Sequence, residues 1–145
     1  MTDTYGSFDE RRSFAGLHFD GASRGNPGPA SIGWLISTSD TIVDEGSERI
    51  GRTTNNCAEY EALIAGLERA LDLGITKIRA RGDSELIVRQ VQGEYNVNDS
   101  KMQKRHKQVM DLVSEFEQFD ISHVPREENV ETDGLANDAL DNLAQ

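Results

Sequence analysis

A turn-forming segment between two apolar stretches restricts the fold of this chain more than any other feature. Residues 21–29 contain three Gly and two Pro, which together impose an unusual backbone path. One apolar stretch begins at Phe14 and ends at Asp20, and another begins at Ile32. This pattern predicts two antiparallel strands joined by a turn. Asp20 would end the first strand, where a rigidly held carboxylate can meet a ligand, although aspartate is also common in plain turns.

Apolar periodicity predicts the remaining elements and an α/β fold. The strand–helix–strand order in the middle of the chain implies a parallel crossover, so we expect a five-stranded mixed sheet of three antiparallel meander strands plus parallel strands, flanked by helices. The predicted strands are 14–20, 31–37, 41–49, 76–81 and 119–124, and the predicted helices are 57–73, 84–92, 101–116 and 130–143.

Length and composition limit the domain count and the compartment. We expect a flexible polar tail at residues 1–13 and a single domain at residues 14–145. The only cysteine, Cys57, excludes an internal disulfide and favours a reducing compartment. No apolar stretch approaches the ~20 residues of a membrane span, and residues 1–5 lack the features of an export signal. We therefore expect a cytoplasmic protein with no membrane partner.

The net charge of −11 leaves two interpretations open. An acidic protein repels nucleic acid at low salt, which would exclude such a partner. At ~1 M salt the Debye length falls to ~3 Å and most of that repulsion disappears. The acidity therefore argues either against a nucleic-acid partner or for a halophilic protein in a very salty cytoplasm.

Three further acids occupy positions that resemble that of Asp20. Asp83 directly follows the predicted strand 76–81, while Glu59 and Asp133 lie on the otherwise apolar faces of two predicted helices. Each position also has an ordinary explanation, such as a helix N-cap for Asp83 or a frayed first turn for Glu59.

If these four carboxylates converge, each raises the pKa of the others, and a hard divalent cation relieves that conflict. Oxygen ligands favour Mg²⁺ or Mn²⁺, and the sequence has no His/Cys cluster suited to zinc. Four carboxylates suit a pair of Mg²⁺ ions ~3.5–4 Å apart, which can stabilise the attacking and leaving oxygens of a phosphodiester.

A cluster of cations begins the predicted helix 101–116, where they oppose the helix macrodipole. The cluster is either a solvated face or a contact surface for phosphates. Its members are Lys101, Lys104, Arg105 and Lys107.

Taken together, the element order and several short motifs resemble a type 1 ribonuclease H over residues 14–140. Residues 79–90 and 123–129 look most like the compact archaeal and bacterial branch. The motifs are Phe19-Asp20-Gly21, Gly25-Asn26-Pro27-Gly28-Pro29, Thr53-Thr54-Asn55-Asn56 with Glu59 following, Gly82-Asp83-Ser84, and His123 ten residues before Asp133.

The resemblance implies a ribonuclease H-like fold and a monomeric enzyme that hydrolyses the RNA strand of RNA–DNA hybrids, leaving 5′-phosphate and 3′-hydroxyl ends. It implies two Mg²⁺ ions during catalysis, with Mn²⁺ as an alternative, and double-stranded RNA as a further candidate partner. By the resemblance Asp20 bridges both ions and Asp133 completes the site of the ion that holds the water. Glu59 and Asp83 hold the other ion.

The resemblance also implies which residues contact substrate. Backbone of the turn from Gly21 through Ser23, with the Asn26 amide, would approach 2′-hydroxyl groups, which distinguish RNA from DNA. Thr54 and Asn55 would bind a phosphate of the DNA strand at a helix N-terminus. Lys101, Lys104 and Arg105 would contact further phosphates. In the last loop, His123 and Arg126 are alternative candidates for assisting catalysis.

The chain departs from the best-known branch of that family in one region. Residues 93–108 are too short for the basic, Trp-containing protrusion that grips the hybrid, and they contain no Trp. Three alternatives stand beside the enzyme: a non-catalytic hybrid or RNA binder, another nuclease of the same fold such as a junction resolvase or transposase core, and a protein in which the acids bind a structural ion.

Overall fold

The computed structural model describes residues 14–39, 41–129 and 134. Its elements are β1 (Ala15–Ser23), β2 (Gly28–Thr38), β3 (Thr41–Thr53), α1 (Asn55–Asp72), β4 (Lys77–Gly82), α2 (Glu85–Val91), α3 (Ser100–Val113), β5 (Gln118–His123) and a 3₁₀ turn (Arg126–Asn129). Of the helices in this part of the chain, none combines the length and apolar character that crossing a bilayer requires.

The strands form a five-stranded mixed sheet in the order β3-β2-β1-β4-β5. The first three pair antiparallel, while β4 pairs in parallel with β1 on one side and with β5 on the other. The α1 helix provides the crossover from β3 at the edge to β4 beside β1. The predicted fold class is therefore confirmed.

Several predicted boundaries differ from the structure because strand pairing extends into the turn. β1 continues past Asp20 to Ser23, opposite Ala30 of β2, and Arg24 N donates to Pro29 O at 2.8 Å. β3 correspondingly runs on to Thr53. Single-strand periodicity gives no information about such cross-strand contacts. The tail 1–13, Asp40 and the predicted helix 130–143 lie outside the described residues.

The α1 helix is defined at both ends by residues suited to those positions. The Thr54 hydroxyl caps its start by accepting from Cys57 N at 3.2 Å, and Gly74, with φ +79°, follows its end. Its inner face packs on β1, where Gly66 meets the Leu17 side chain. For α3, which begins at Ser100, the N-cap is Asp99.

A shared carboxylate joins the edge strand β3 to the rest of the fold. Asp44 Oδ2 accepts from Trp34 Nε1 and from Arg69 Nε, each at 3.1 Å. The Trp34 ring lies against Gly46, where an added Cβ would come within 2.3 Å of it. Trp34 is thus packed against the core, and β2, β3 and α1 are fixed to one another.

The helices beneath the sheet are connected by a buried polar network. Tyr60 donates to Gln90 Oε1 at 2.6 Å, and Gln90 Nε2 donates to Asn96 O at 3.1 Å. The α1 and α3 helices are also joined by an ion pair between Glu61 and Arg105 at 2.8 Å.

Candidate active site

Three of the four predicted carboxylates meet where β1, α1 and β4 approach one another. Asp20 comes from β1, Glu59 from the beginning of α1, and Asp83 from the residue after β4. One carboxylate oxygen of each lies within 4.8 Å of the others. Asp20 and Glu59 are only 2% and 3% exposed, so these are not acids of a solvated surface.

The paths of two strands bring the acids together. The parallel pairing of β1 with β4 ends at His18 and Arg81, and Asp20 and Asp83 lie two residues beyond those ends. Ligands commonly bind at such a point in α/β sheets, where neighbouring strands connect in opposite directions. The prediction that Asp20 ends its own strand is therefore wrong. Asp20 lies inside β1, just beyond the point where the pairing of β1 with β4 ends.

Gly21 allows α1 to reach this point. A Cβ on Gly21 would lie 2.2 Å from the backbone carbon of Ala58 and 2.4 Å from Glu59 N. Such contacts are far below van der Waals distance, so any side chain here would push the helix away. Gly21 therefore places Glu59 beside Asp20, a packing role in addition to the substrate role expected from the sequence.

The electrostatics of this cluster disfavour three negative charges. Burial, and next the nearby Asp83 carboxylate, raise the pKa of Glu59 to about 8, although a hydrogen bond shared with Asp20 and one from the Gly21 backbone oppose the shift. Glu59 Oε2 is buried with no hydrogen-bond partner within the described structure. Such an atom normally has a partner, and in this acidic setting a cation would satisfy it.

The donor set fits a hard divalent metal ion. It consists of carboxylate oxygens alone, which suit Mg²⁺ and Mn²⁺, and the described part of the chain offers no comparable His or Cys group. Asp20, Glu59 and Asp83 are the residues that could hold such an ion. Asp133, the fourth predicted ligand, lies outside the described residues.

His123 and Arg126 both contact Asp83, through different atoms. His123 is the last residue of β5, and its Nε2 donates to Asp83 O at 3.3 Å. Arg126 Nε lies 3.8 Å from Asp83 Oδ2, and its side chain is 78% exposed. The imidazole thus holds the backbone, while the exposed guanidinium faces the carboxylate.

The turn between β1 and β2 is connected to the start of α1. Asn26 Oδ1 accepts from Asn55 N at 3.0 Å, and the Ser23 hydroxyl lies within hydrogen-bond distance of two carbonyl oxygens, Thr53 O at 3.0 Å and Gly25 O. The Asn26 amide is thereby oriented with its oxygen toward the protein. Asn55 N donates to Asn26 and Cys57 N donates to Thr54, so both amides already have partners within the protein. Thr54 and Asn55 therefore stabilise the start of α1, in addition to the phosphate contact expected from the sequence.

The predicted cation cluster is smaller than the sequence suggests. Arg105 is held by Glu61, and Lys107 pairs with Asp111 at 2.9 Å. Lys101 and Lys104 are exposed and have no ion-pair partner within the described ranges.

Sequence reasoning missed the part played by Asn129, which belongs to the 3₁₀ turn and is 1% exposed. Its Nδ2 donates to Phe19 O at 3.1 Å, and its Oδ1 lies 3.2 Å from His18 Nδ1. These contacts span more than 100 residues of sequence, and an Asn in a polar loop carries no local signal of burial.

The model of a family described as "Reverse transcriptase-like" matches residues 18–139. Ribonuclease HI of Halobacterium salinarum is 50% identical over 125 residues, which cover 86% of this chain and 63% of that protein. The bifunctional protein Rv2228c of Mycobacterium tuberculosis is 45% identical over 89% of this chain and 36% of its own length. The chain therefore spans less than two thirds of these curated relatives.

Solved structures agree with these sequence matches. The crystal structure of RNase H1 from Halobacterium salinarum has a TM-score of 0.87 at 48% identity, covering 88% of this chain and 98% of that one. LC11-RNase H1 in complex with an RNA/DNA hybrid has a TM-score of 0.87 at 38% identity, covering 90% and 99%. With the sheet order, the three converging acids and these similarities together, the chain belongs to the type 1 ribonuclease H family.

Proposed function

We propose that this protein is a divalent-metal-dependent endoribonuclease that hydrolyses the RNA strand of RNA–DNA hybrids to 5′-phosphate and 3′-hydroxyl ends. The observation that carries the proposal is the buried cluster of Asp20, Glu59 and Asp83, with oxygens within 4.8 Å. A fold can serve many functions, so the proposal depends on this site rather than on the sheet. The hybrid bound to the relative LC11-RNase H1 supports the choice of substrate.

We propose that Asp20, Glu59 and Asp83 hold Mg²⁺, together with Asp133 on the strength of its sequence motif, and that Mn²⁺ can replace it. Bound as a pair, such ions would stabilise charge on the attacking and leaving oxygens of the phosphodiester. The protein's own contribution is position: two strands and one helix fix the three carboxylates before substrate arrives. Arg126 and His123 are proposed to act around Asp83, the first through its charge and the second by holding the backbone.

Recognition of the RNA strand is proposed for the turn from Gly21 to Asn26. Because Asn26 Oδ1 is occupied by Asn55 N, the amide presents its N–H donors outward, suited to the oxygen of a 2′-hydroxyl. Thr54 and Asn55 are proposed to contact a DNA phosphate. Lys101 and Lys104 would supply the main charged contacts beyond them, since Arg105 is engaged with Glu61.

We further propose that the protein acts as a cytoplasmic monomer, with residues 14–145 as one catalytic domain preceded by a tail at 1–13. Its acidity, together with 48% identity to an RNase H1 from a halophilic archaeon, supports a high-salt cytoplasm over the absence of a nucleic-acid partner.

Cleavage of an end-labelled RNA–DNA hybrid tests the function. The assay uses Mg²⁺ or Mn²⁺ from low to molar salt, with double-stranded RNA as a second substrate. Wild-type protein should cut the RNA strand of the hybrid, and Glu59→Gln should lose at least about a hundredfold in rate. Glu68→Gln is the matched control, because Glu68 lies exposed on the same helix about 14 Å along its axis.

The outcomes separate this proposal from the alternatives. Hybrid binding without cleavage at any salt or metal would indicate a binding module. Loss of the fold on adding chelator would indicate a structural ion. Equal activity of Glu59→Gln and Glu68→Gln would show that the acidic cluster is not the catalytic centre.

A further inference from the structure

The 3₁₀ turn Arg126–Asn129 spans the gap that opens between β1 and β4. Pairing of these strands stops at His18 and Arg81. One residue further along β1, the Phe19 carbonyl accepts instead from Asn129 Nδ2 at 3.1 Å. On the far side of β4, Val124 N, two residues before the turn, donates to Gly82 O at 3.0 Å and continues the pairing of β5 with β4, so the chain passes over the end of β4 to reach β1. A side chain thus continues the hydrogen bonding of β1 after its neighbouring strand has diverged.

The Asn129 amide can adopt only one orientation here. Turning it over would place Oδ1 against the Phe19 carbonyl oxygen, an arrangement of two acceptors. With Nδ2 on Phe19 O, Oδ1 faces His18 Nδ1 at 3.2 Å, so the ring must donate from Nδ1. His18 therefore fixes the amide, and the amide fixes the peptide that leads into Asp20.

We infer that Asn129 and His18 form a positioning pair, which holds the 3₁₀ turn across the diverging strands and so fixes Arg126 beside Asp83. The inference rests on the proposed nuclease function for its kinetic consequence. Asn129 is 1% exposed, while the side chain of Arg126, three residues earlier, is 78% exposed. The turn is therefore anchored in the protein interior at Asn129 and presents Arg126 to solvent beside Asp83.

Two substitutions of His18 test this pair with little disturbance of the core. His18→Leu removes the donor, whereas His18→Asn places an amide nitrogen close to the position of Nδ1. We expect His18→Leu to lower kcat for hybrid cleavage about tenfold, with KM within about twofold, and His18→Asn to restore most of kcat. Asn129→Ala should have the larger effect on kcat, and it is compared at a temperature where it remains folded.

Gln92→Ala is the matched control. Gln92 Nε2 also donates an amide hydrogen bond to a strand carbonyl, Ile121 O at 2.8 Å, but from the end of α2. The substitution Gln92→Ala should lower thermal stability without changing kcat. A second measurement follows the ¹⁵N-edited NMR signal of Arg126 Nε–H, assigned with Arg126→Lys. That signal should shift in His18→Leu and return in His18→Asn.

The inference is overturned if His18→Leu keeps the wild-type kcat, if His18→Asn is as impaired as His18→Leu, or if Gln92→Ala loses kcat equally. Should the wild type cleave no hybrid at all, the proposed function fails, and the NMR signal alone then decides on the positioning pair. A shift that His18→Asn reverses would support it, and an unchanged signal in His18→Leu would overturn it.

Discussion

Glu59 shows how the requirements of folding and of the site oppose each other at a single residue. Its side chain lies on the buried face of α1, where an apolar residue would stabilise the helix contact, yet it carries a carboxyl group beside two others. Its pKa, raised to about 8 chiefly by burial, means that the metal-free fold prefers it protonated. Above its unfolded-state pKa, near 4.5, the group therefore reduces stability progressively until about pH 8.

Glu59→Gln should accordingly stabilise the metal-free protein, and more so at higher pH. We expect little difference from the wild type near about pH 5 and a gain of about 1–3 kcal/mol near about pH 8.5, because glutamine keeps the shape without the charge. Thermal unfolding in chelator at both pH values measures this. Saturating Mg²⁺ should reduce or reverse the gain. A wild type that is the more stable at the higher pH without metal would contradict the argument.

One substitution can separate the two proposed functions of Asn26, which are to accept a hydrogen bond from Asn55 N and to donate one to the substrate. Asn26→Asp keeps an acceptor for Asn55 N, and a negative charge is favourable at the start of α1. It lacks the outward N–H donors and adds charge near phosphates, so KM for the hybrid should rise about tenfold or more with no fall in melting temperature. Asn26→Ala should lose both affinity and stability. Steady-state kinetics and calorimetry separate the two, and an unchanged KM in Asn26→Asp would exclude the proposed contact.

At the scale of elements, the site depends on how closely α1 approaches β1. Two glycines mark that contact at different points. Gly21 faces helix backbone, whereas Gly66 faces the methyl groups of Leu17, which can move. The same added methyl should therefore have different consequences at the two positions.

Gly21→Ala should move the start of α1 away from β1 and separate Glu59 from Asp20, with loss of more than about a hundredfold in kcat even where the protein folds. Gly66→Ala should cost about 1–3 kcal/mol of stability through overpacking but keep kcat per folded molecule. Denaturant unfolding and cleavage assays on the pair measure this. Comparable losses of kcat in both variants would mean that the helix approach is not what positions Glu59.

The structure also indicates how far elements follow from sequence. Periodicity located the strands and α1, and it identified Glu59 as an acid on the apolar face of that helix. Contacts between distant segments were beyond such reasoning: β1 extends past Asp20 because β2 pairs with it, and Arg105 is taken out of the cation cluster by Glu61, 44 residues away. The contact of the buried Asn129 with Phe19, 110 residues away, was likewise beyond such reasoning.

At the scale of the whole molecule, 26 acidic and 15 basic side chains produce a net charge of −11. Acids such as Glu45 and Glu48 on β3 are exposed and have no cation partner among the described residues. Their mutual repulsion opposes the compact state, and added salt screens it.

The melting temperature should therefore rise by several degrees between about 0.05 M and 1 M or more NaCl, as screening removes the repulsion. Replacing Glu45 and Glu48 by Lys should reduce that salt dependence, because the net charge falls in magnitude by four. Thermal scans across salt measure both. A melting temperature independent of salt would contradict a halophilic origin for the acidity.

The bridge between Trp34 and Asp44 gives the molecule an optical reporter. Trp34 is the only tryptophan in the sequence, and its emission depends on the hydrogen bond to Asp44 and on the contact with Gly46, both of which require β3 to be in place. Fluorescence therefore observes the edge of the sheet, while circular dichroism observes the helices. If the two signals change at the same denaturant concentration, the edge strand unfolds with the helices; an earlier change in fluorescence would mean that β3 detaches first, leaving β1, β4 and the acids between them still assembled.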